Sequence, residues 1–198
     1  VCETLKSNGV TPIVSGTKNA WPAAAWFDYL NMRVNGPEFH INLMLGTEKY
    51  DDPRVKKAFE YWAELLDNGY FIENAASYDW QDVLPFMLQE KAAMYLMGSW
   101  FLSTGASENP DFMQNVAIIP FPVYEGGAGD PTAVVGTVGD NFYHVSANCE
   151  EGEMAFEFLK TMLDEEGVKE RLAIGKLPPV KNLKVEDPNL QTILDVVS

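Results

Sequence analysis

An α/β layered fold is predicted for this chain. Segments with a 3.6-residue apolar period alternate with short apolar runs of strand length along its whole extent, with Gly and Pro marking most of the junctions. Of its 198 residues, 46% are hydrophobic, which supports a sizeable core and argues against disorder. The length suits one ordinary domain and part of a second.

Residues 1–8 read as the end of a helix that Gly9 stops, and 10–15 as a short strand followed by the polar loop 16–20. A helix with Pro22 in its first turn then runs to about Asn35-Gly36-Pro37. Apolar residues occur all round it, so it should be well buried. The clearest helix is 53–68: Asp52 caps it, Pro53 takes the first position, and Val55, Ala58, Phe59, Trp62, Leu65 and Leu66 form one stripe before Gly69 ends it. Residues 79–90 are expected to form a helix capped by Asp79, with Val83, Phe86 and Met87 on one face. A buried strand over 92–98 follows, and the Gly98-Ser99 break leaves Trp100 where strand gives way to loop. Further strands are expected at 116–121, 132–138 and 142–146, with a flexible turn at 125–131. Helices are expected at 151–163 and 165–173, an extended stretch at 176–180, and a last helix from Asp187-Pro188 with Leu190, Ile193, Leu194 and Val197.

Charge and motifs exclude several functions. A net charge of −15, from 29 acids against 14 bases, repels phosphate backbones and anionic lipid, so no nucleic-acid or membrane-surface partner is expected. No apolar run approaches the ~20 residues of a membrane-spanning helix. Cys2 and Cys149 lie far apart, outside any C-x-x-C spacing, and read as two isolated thiols. His40 and His144 are the only histidines, and neither sits in a metal or nucleophile motif. No G-x-S-x-G elbow or G-x-G-x-x-G loop is present, and residues 125–131 lack the phosphate-loop pattern. No cofactor and no metal are therefore expected. With no starting methionine and no signal segment, the chain reads as a fragment.

Asp79 and Asp82 are the obvious carboxylate pair for glycoside hydrolysis, although capping of a helix first turn explains both without catalysis. The aromatics are better evidence. Sugars present apolar C–H faces and hydroxyl edges, so their sites pair flat rings with hydrogen-bonding side chains. Trp21, Trp80 and Trp100 each stand at an element end beside polar residues: Lys18 and Asn19, Asp79 and Gln81, and Ser99. Trp26 and Trp62 fall within helices, and Trp62 reads as core. In Val135–His144, Gly136 and Gly139 permit close backbone approach and Asp140 and Asn141 offer hydrogen bonds, yet the same residues make a plain hairpin turn.

Several segments in succession resemble extracellular solute-binding proteins that feed ATP-binding-cassette (ABC) sugar importers. They are Thr11-Pro12-Ile13, Asn19-Ala20-Trp21-Pro22, Trp26-Phe27-Asp28-Tyr29, Asp52-Pro53 through Gly69-Tyr70-Phe71, Ala93-Met94 followed by Gly98-Ser99-Trp100, Pro120-Phe121-Pro122, Gly136 to Asn148, Ala155-Phe156-Glu157-Phe158-Leu159 and Leu177-Pro178-Pro179. No one motif is specific, but the order holds over essentially the whole chain. The resemblance implies one lobe of a two-lobed periplasmic-binding-protein-like fold (type II), truncated. Residues 1–138 with 176–198 would form the C-terminal ligand-binding lobe, and 139–175 would cross back to pack with the missing lobe. It carries Trp100 onto a sugar-stacking position, and Trp21, Asp79, Trp80, Gly136, Asp140 and Asn141 onto cleft-lining regions.

The implied function is capture of a sugar or oligosaccharide outside the cytoplasmic membrane by closure of a two-lobe cleft, without catalysis. The implied partners are a carbohydrate ligand and ABC permease subunits. The full-length protein is expected as a monomer, periplasmic or lipid-anchored at the cell surface. A glycoside hydrolase and an acidic protein-interaction module are the competing readings.

Overall fold

The computed structural model describes residues 1–135 and 142–197. These divide into two compact units, the first of 1–97 with 120–135 and the second of 98–119 with 136–198.

In the first unit, α1 (Cys2–Ser7) leads into β1 (Thr11–Val14), which pairs in parallel with β2 (Ala92–Tyr95). Ile13 lies opposite Met94 and Val14 opposite Tyr95, and Ile13 also bridges to Phe71. The expected strand 92–98 thus ends at Tyr95. Helix α2 (Trp21–Asn35) ends at Gly36, whose φ of 91° suits only glycine. Pro37 then starts α3 (Pro37–Met44), a helix absent from the sequence reading, in which Gly36-Pro37 only ends the preceding helix. Pro at the first position of a helix loses nothing, since that N–H has no intrahelical acceptor. Helix α4 (Pro53–Asp67) is capped as expected, Asp52 Oδ1 accepting the Arg54 N–H at 2.8 Å.

Two apolar clusters hold these elements. Phe27, Phe39, Leu43, Val55 and Ala58 form one, and Ile13, Trp26 and Leu30 the other, with Trp62 packed against both. Burial of side chains this size contributes roughly 1.5–3 kcal/mol each. Between Ser77 and β2 the expected helix 79–90 contracts to α5 (Leu84–Leu88). Its predicted apolar face survives in part, Val83 and Met87 being buried and Phe86 half-buried.

Residues 125–131 are a pinned loop, against the expected flexible turn. Arg33, 1% exposed, aims its guanidinium at the main-chain carbonyls of Phe121, Asp130, Pro131 and Ala133. The main chain joins in: Ala128 N–H donates to Val34 at 3.0 Å and Gly129 N–H to Arg33 at 3.1 Å. A Cβ on Gly129 would lie 2.1 Å from the Met32 carbonyl oxygen, so this approach is open to glycine alone. Carbonyls occupied in this way are unavailable to a ladder, and 132–135 form no strand; the rest of the expected strand, 136–138, lies outside the described residues.

The second unit contains α6 (Trp100–Glu108), α7 (Pro110–Met113), α8 (Gly152–Thr161), α9 (Glu165–Ala173) and α10 (Pro188–Val197). Helices α8 to α10 match expectation, with Asp164 capping α9 and Asp187 accepting the N–H groups of Asn189 and Leu190. Helix α6 begins where the Gly98-Ser99 break led to an expected loop, and the Met113 sulfur would sit 2.4 Å from a Cβ on its Gly105. The expected strand 116–121 is absent. The side chain of Asn189 takes its hydrogen bonds instead, accepting from Ile118 N–H at 3.0 Å and donating to the Val116 carbonyl at 3.1 Å. Residues 142–146 likewise form no strand. Cys2 and Cys149 are free thiols.

Candidate functional site

Two of the expected site residues, Asp79 and Trp80, lie in the first unit against the loop that leaves the carboxyl end of β1, and a third, Trp21, follows that loop at the start of α2. Such ends are where open α/β sheets place ligands. Gly16 lets this loop approach residues 79–80, since a Cβ on it would fall 2.1 Å from the Asp79 carbonyl oxygen. Main-chain bonds then lock the two segments, Thr17 N–H donating to Ala75 at 2.9 Å and Lys18 N–H to Tyr78 at 3.0 Å.

The contact delivers the Asn19 side chain to Asp79, with Nδ2 donating to Asp79 Oδ2. Asp79 Oδ1 accepts the N–H of Trp80 at 2.6 Å. Asp79 was expected as a helix cap and is instead the acceptor at the centre of this cluster. The capping group of this turn is Asp82, whose Oδ2 accepts the Asp79 N–H at 2.8 Å. Both carboxylates of the suspected hydrolytic pair thus hold main-chain donors.

Trp21 opens α2 two residues beyond Asn19 and is 39% exposed, a large ring turned partly to solvent. Its N–H donates to the Asn19 carbonyl at 2.7 Å across Ala20, which has φ 60° and ψ −35°. This is a γ-turn of the rare, strained hand, of the kind that costs about 1–3 kcal/mol and persists only where the surroundings enforce it. Trp80 is half-buried, and its carbonyl accepts the Tyr95 hydroxyl at 2.8 Å. Burial, and secondarily the charge of Asp79, push the Tyr95 phenol above its ordinary range, so it stays a neutral donor. Tyr95 was not singled out in the sequence, where it falls inside the expected strand 92–98 as one more apolar residue of the run.

Trp100 belongs to the second unit. It opens a helix where a loop was expected, and is half-buried. Its ring lies over Gly98, where a Cβ would fall 2.1 Å from a ring carbon. Gly136, Asp140 and Asn141 lie outside the described residues. Among the described residues, no group of three or more His, Cys, Asp or Glu could hold a metal ion. No helix among them is long and apolar enough to cross a membrane.

The sequence model of the bacterial extracellular solute-binding protein family matches residues 1–169. The chain belongs to that family. Among its relatives, an uncharacterised ABC-transporter extracellular-binding protein of Pyrococcus horikoshii is 33% identical over 63% of this chain and 28% of its own length. A glucose-binding protein of Saccharolobus solfataricus is 24% identical over 60% of this chain and 24% of its own length. Of solved structures, one from work on xylan utilization by Caldanaerobius polysaccharolyticus superposes with a TM-score of 0.82 at 24% identity, covering 98% of this chain and 50% of that one. A chitin oligosaccharide binding protein superposes with a TM-score of 0.78 at 24% identity, covering 99% and 50%. The chain of this solute-binding family member therefore spans about half the length of these structures, and about a quarter of the relatives. The α/β fold of one lobe follows from these likenesses.

Proposed function

We propose that this chain is the ligand-binding lobe of an extracellular sugar receptor that delivers a saccharide to an ABC importer. The observation that carries the proposal is the half-exposed Trp21 beside an Asp79 carboxylate already oriented by Asn19 and Trp80. A flat ring accepts a sugar's C–H face, and an oriented acceptor receives its hydroxyls. Membership of a solute-binding family, and relatives named for binding glucose and chitin oligosaccharide, support a saccharide as the ligand. Binding without bond cleavage is favoured over glycoside hydrolysis, because Asp79 and Asp82 serve as main-chain acceptors.

On this reading Trp80 contributes to the site of Trp21, and Trp100 offers a stacking surface in its own right. The proposed site also includes Gly136, Asp140 and Asn141. Residues 1–138 and 176–198 form the ligand-binding lobe, and 139–175 pack with a second lobe supplied by the rest of the polypeptide. Helix α8 suits that role, since it has no buried residue and exposes Met154 and Phe158 at 67% and 68%. The intact receptor works as a monomer outside the cytoplasmic membrane, held there by a lipid anchor or free in a periplasm, and meets permease subunits.

The test is calorimetry of the two-lobed receptor with glucose, raffinose, chitotriose and xylotriose, with product analysis after prolonged incubation. Saturable binding without products is expected. Cleavage of any of these sugars, or no binding to all of them, would overturn the proposal.

A further inference from the structure

Asn19 bonds both Asp79 and Trp21 of the proposed site, through different atoms. Its side-chain amide donates to Asp79 Oδ2, and its main-chain carbonyl accepts the N–H of Trp21 at 2.7 Å. We infer that Asn19 is the positioning residue of the site, setting the stacking ring and the hydrogen-bonding carboxylate in register with one another. This inference rests on the sugar-binding reading above and names how its specificity is built.

The hydrogen-bond inventory of Asp79 shows what the arrangement selects. An ionised carboxylate accepts only, with two lone pairs on each oxygen. One on Oδ2 is taken by Asn19 and one on Oδ1 by the Trp80 N–H, at 2.6 Å. Each oxygen keeps one further acceptor site, a pair suited to two neighbouring hydroxyl donors and unsuited to an anion. The rotation of the carboxylate about its own bond decides where those two sites point. Trp80 alone would fix one oxygen, and Asn19 fixes the other.

The ring half of the register depends on the backbone. Ala20 sits at φ 60°, which an L-residue adopts only under constraint. Its own N–H donates to Thr17 at 2.9 Å and its carbonyl accepts from Ala24 at 2.9 Å, so the γ-turn is held from both sides. The chain therefore leaves Asn19 and enters α2 in one fixed direction, which carries Trp21 with it. Asn is the side chain that suits position 19, because Asp there would face a second carboxylate and Ala would leave Oδ2 without its donor.

The experiment uses Asn19→Ala and Asn19→Asp in the two-lobed receptor, read in two ways. The first reading needs no ligand: the backbone amide resonance of Trp80, whose N–H bonds Asp79, followed from about pH 5 to 8. Two carboxylates within hydrogen-bond reach cannot both ionise freely and share a proton at a raised pKa. In Asn19→Asp that resonance should therefore titrate in this range, and in the wild type it should stay still. The other charged groups near Asp79, namely Lys18 on the Asn19 loop and Asp82 on its own turn, are common to both proteins, as is the neutral Tyr95. The second reading is binding of raffinose, or of whichever sugar of the panel above binds best. Asn19→Ala should weaken it about tenfold, equivalent to ~1.4 kcal/mol, at every pH. Asn19→Asp should bind at least about tenfold better at pH 5 than at pH 8, since the shared proton restores the bridge. A role confined to folding would show neither a titrating Trp80 amide nor binding that recovers at low pH.

A still Trp80 amide in Asn19→Asp overturns the inference whatever the binding result. So does a titrating amide combined with variants that bind sugar within about twofold of the wild type. If the wild type binds no sugar, the sugar reading falls, and the amide titration still decides whether Asn19 holds Asp79.

Discussion

The side-chain amide of Asn31 donates to Nδ1 of His40 at 3.0 Å, and both residues are buried. The direction of that bond is set further along. Asn35 Nδ2 donates to Asn31 Oδ1 at 2.7 Å and to the Arg54 carbonyl at 2.9 Å, so the Asn31 amide has its nitrogen, not its oxygen, facing the imidazole. The network thus assigns His40 the neutral form with its proton on Nε2, which lies 3.5 Å from Asp28 Oδ1. A second proton would put an N–H against an N–H.

Burial accordingly holds the His40 pKa below the ordinary 6.5, with Asp28 opposing only in part. A histidine depressed in the folded state is protonated more readily when unfolded, so stability should fall as pH drops below about 6.5. Burial also raises the Asp28 carboxyl. A raised acid binds its proton more readily when folded, so it acts in the opposite sense, from its raised pKa down to the unfolded value near 3.8. Urea titrations of the chain at pH 7, 6 and 5 should show the decline, and His40→Gln should flatten it. A flat wild-type profile would mean that folding does not lower the His40 pKa.

Removing the Arg33 guanidinium should cost at least about 3 kcal/mol, because four main-chain carbonyls lose their donor together. Arg33→Lys should rescue little, since one ammonium cannot reach the spread of a planar fork. Denaturant unfolding of Arg33→Ala and Arg33→Lys measures both. A loss under ~1 kcal/mol in Arg33→Ala would mean that solvent replaces the clamp.

Gly129→Ala should destabilise by roughly 1–3 kcal/mol through overpacking, as its Cβ would meet main-chain atoms of Met32 and Arg33 that cannot move aside. Gly126 has open space around it but a φ of 79°, so Gly126→Ala should cost about 1 kcal/mol from backbone strain alone. Reversal of that order in thermal melts would contradict the packing of this loop on α2.

Trp100→Ala in the two-lobed receptor should weaken saccharide binding by about 1–3 kcal/mol, the scale of one lost aromatic contact. Gly98→Ala should weaken binding in the same direction, because its Cβ would occupy the place of the indole ring. Normal sugar affinity in both variants, with easier unfolding, would make Trp100 a packing residue.

The isolated chain should bind saccharide far more weakly than the two-lobed receptor. A closed cleft buries about 70–90% of a small ligand, and one wall supplies roughly half of that contact. Equal affinities measured side by side would remove the need for closure.

Local chemistry made much of the fold legible. Asp52-Pro53 and Asp187-Pro188 announce helix starts because caps act within one turn of the residues they bond. The apolar period likewise located α2, α4, α8 and α10, since a helix shows its buried stripe within its own length. What tertiary structure alone decided lies in bonds between distant positions. Residues 116–121 have strand composition, yet Asn189 takes up their backbone groups. Residues 125–131 have turn composition, yet the buried Arg33 and the main chain of α2 fasten them. Asp79 looks like a cap until Asn19, sixty residues earlier, reaches it. A backbone or carboxylate group takes whichever donor the fold brings near, and the sequence around it contains no trace of a partner that only folding supplies.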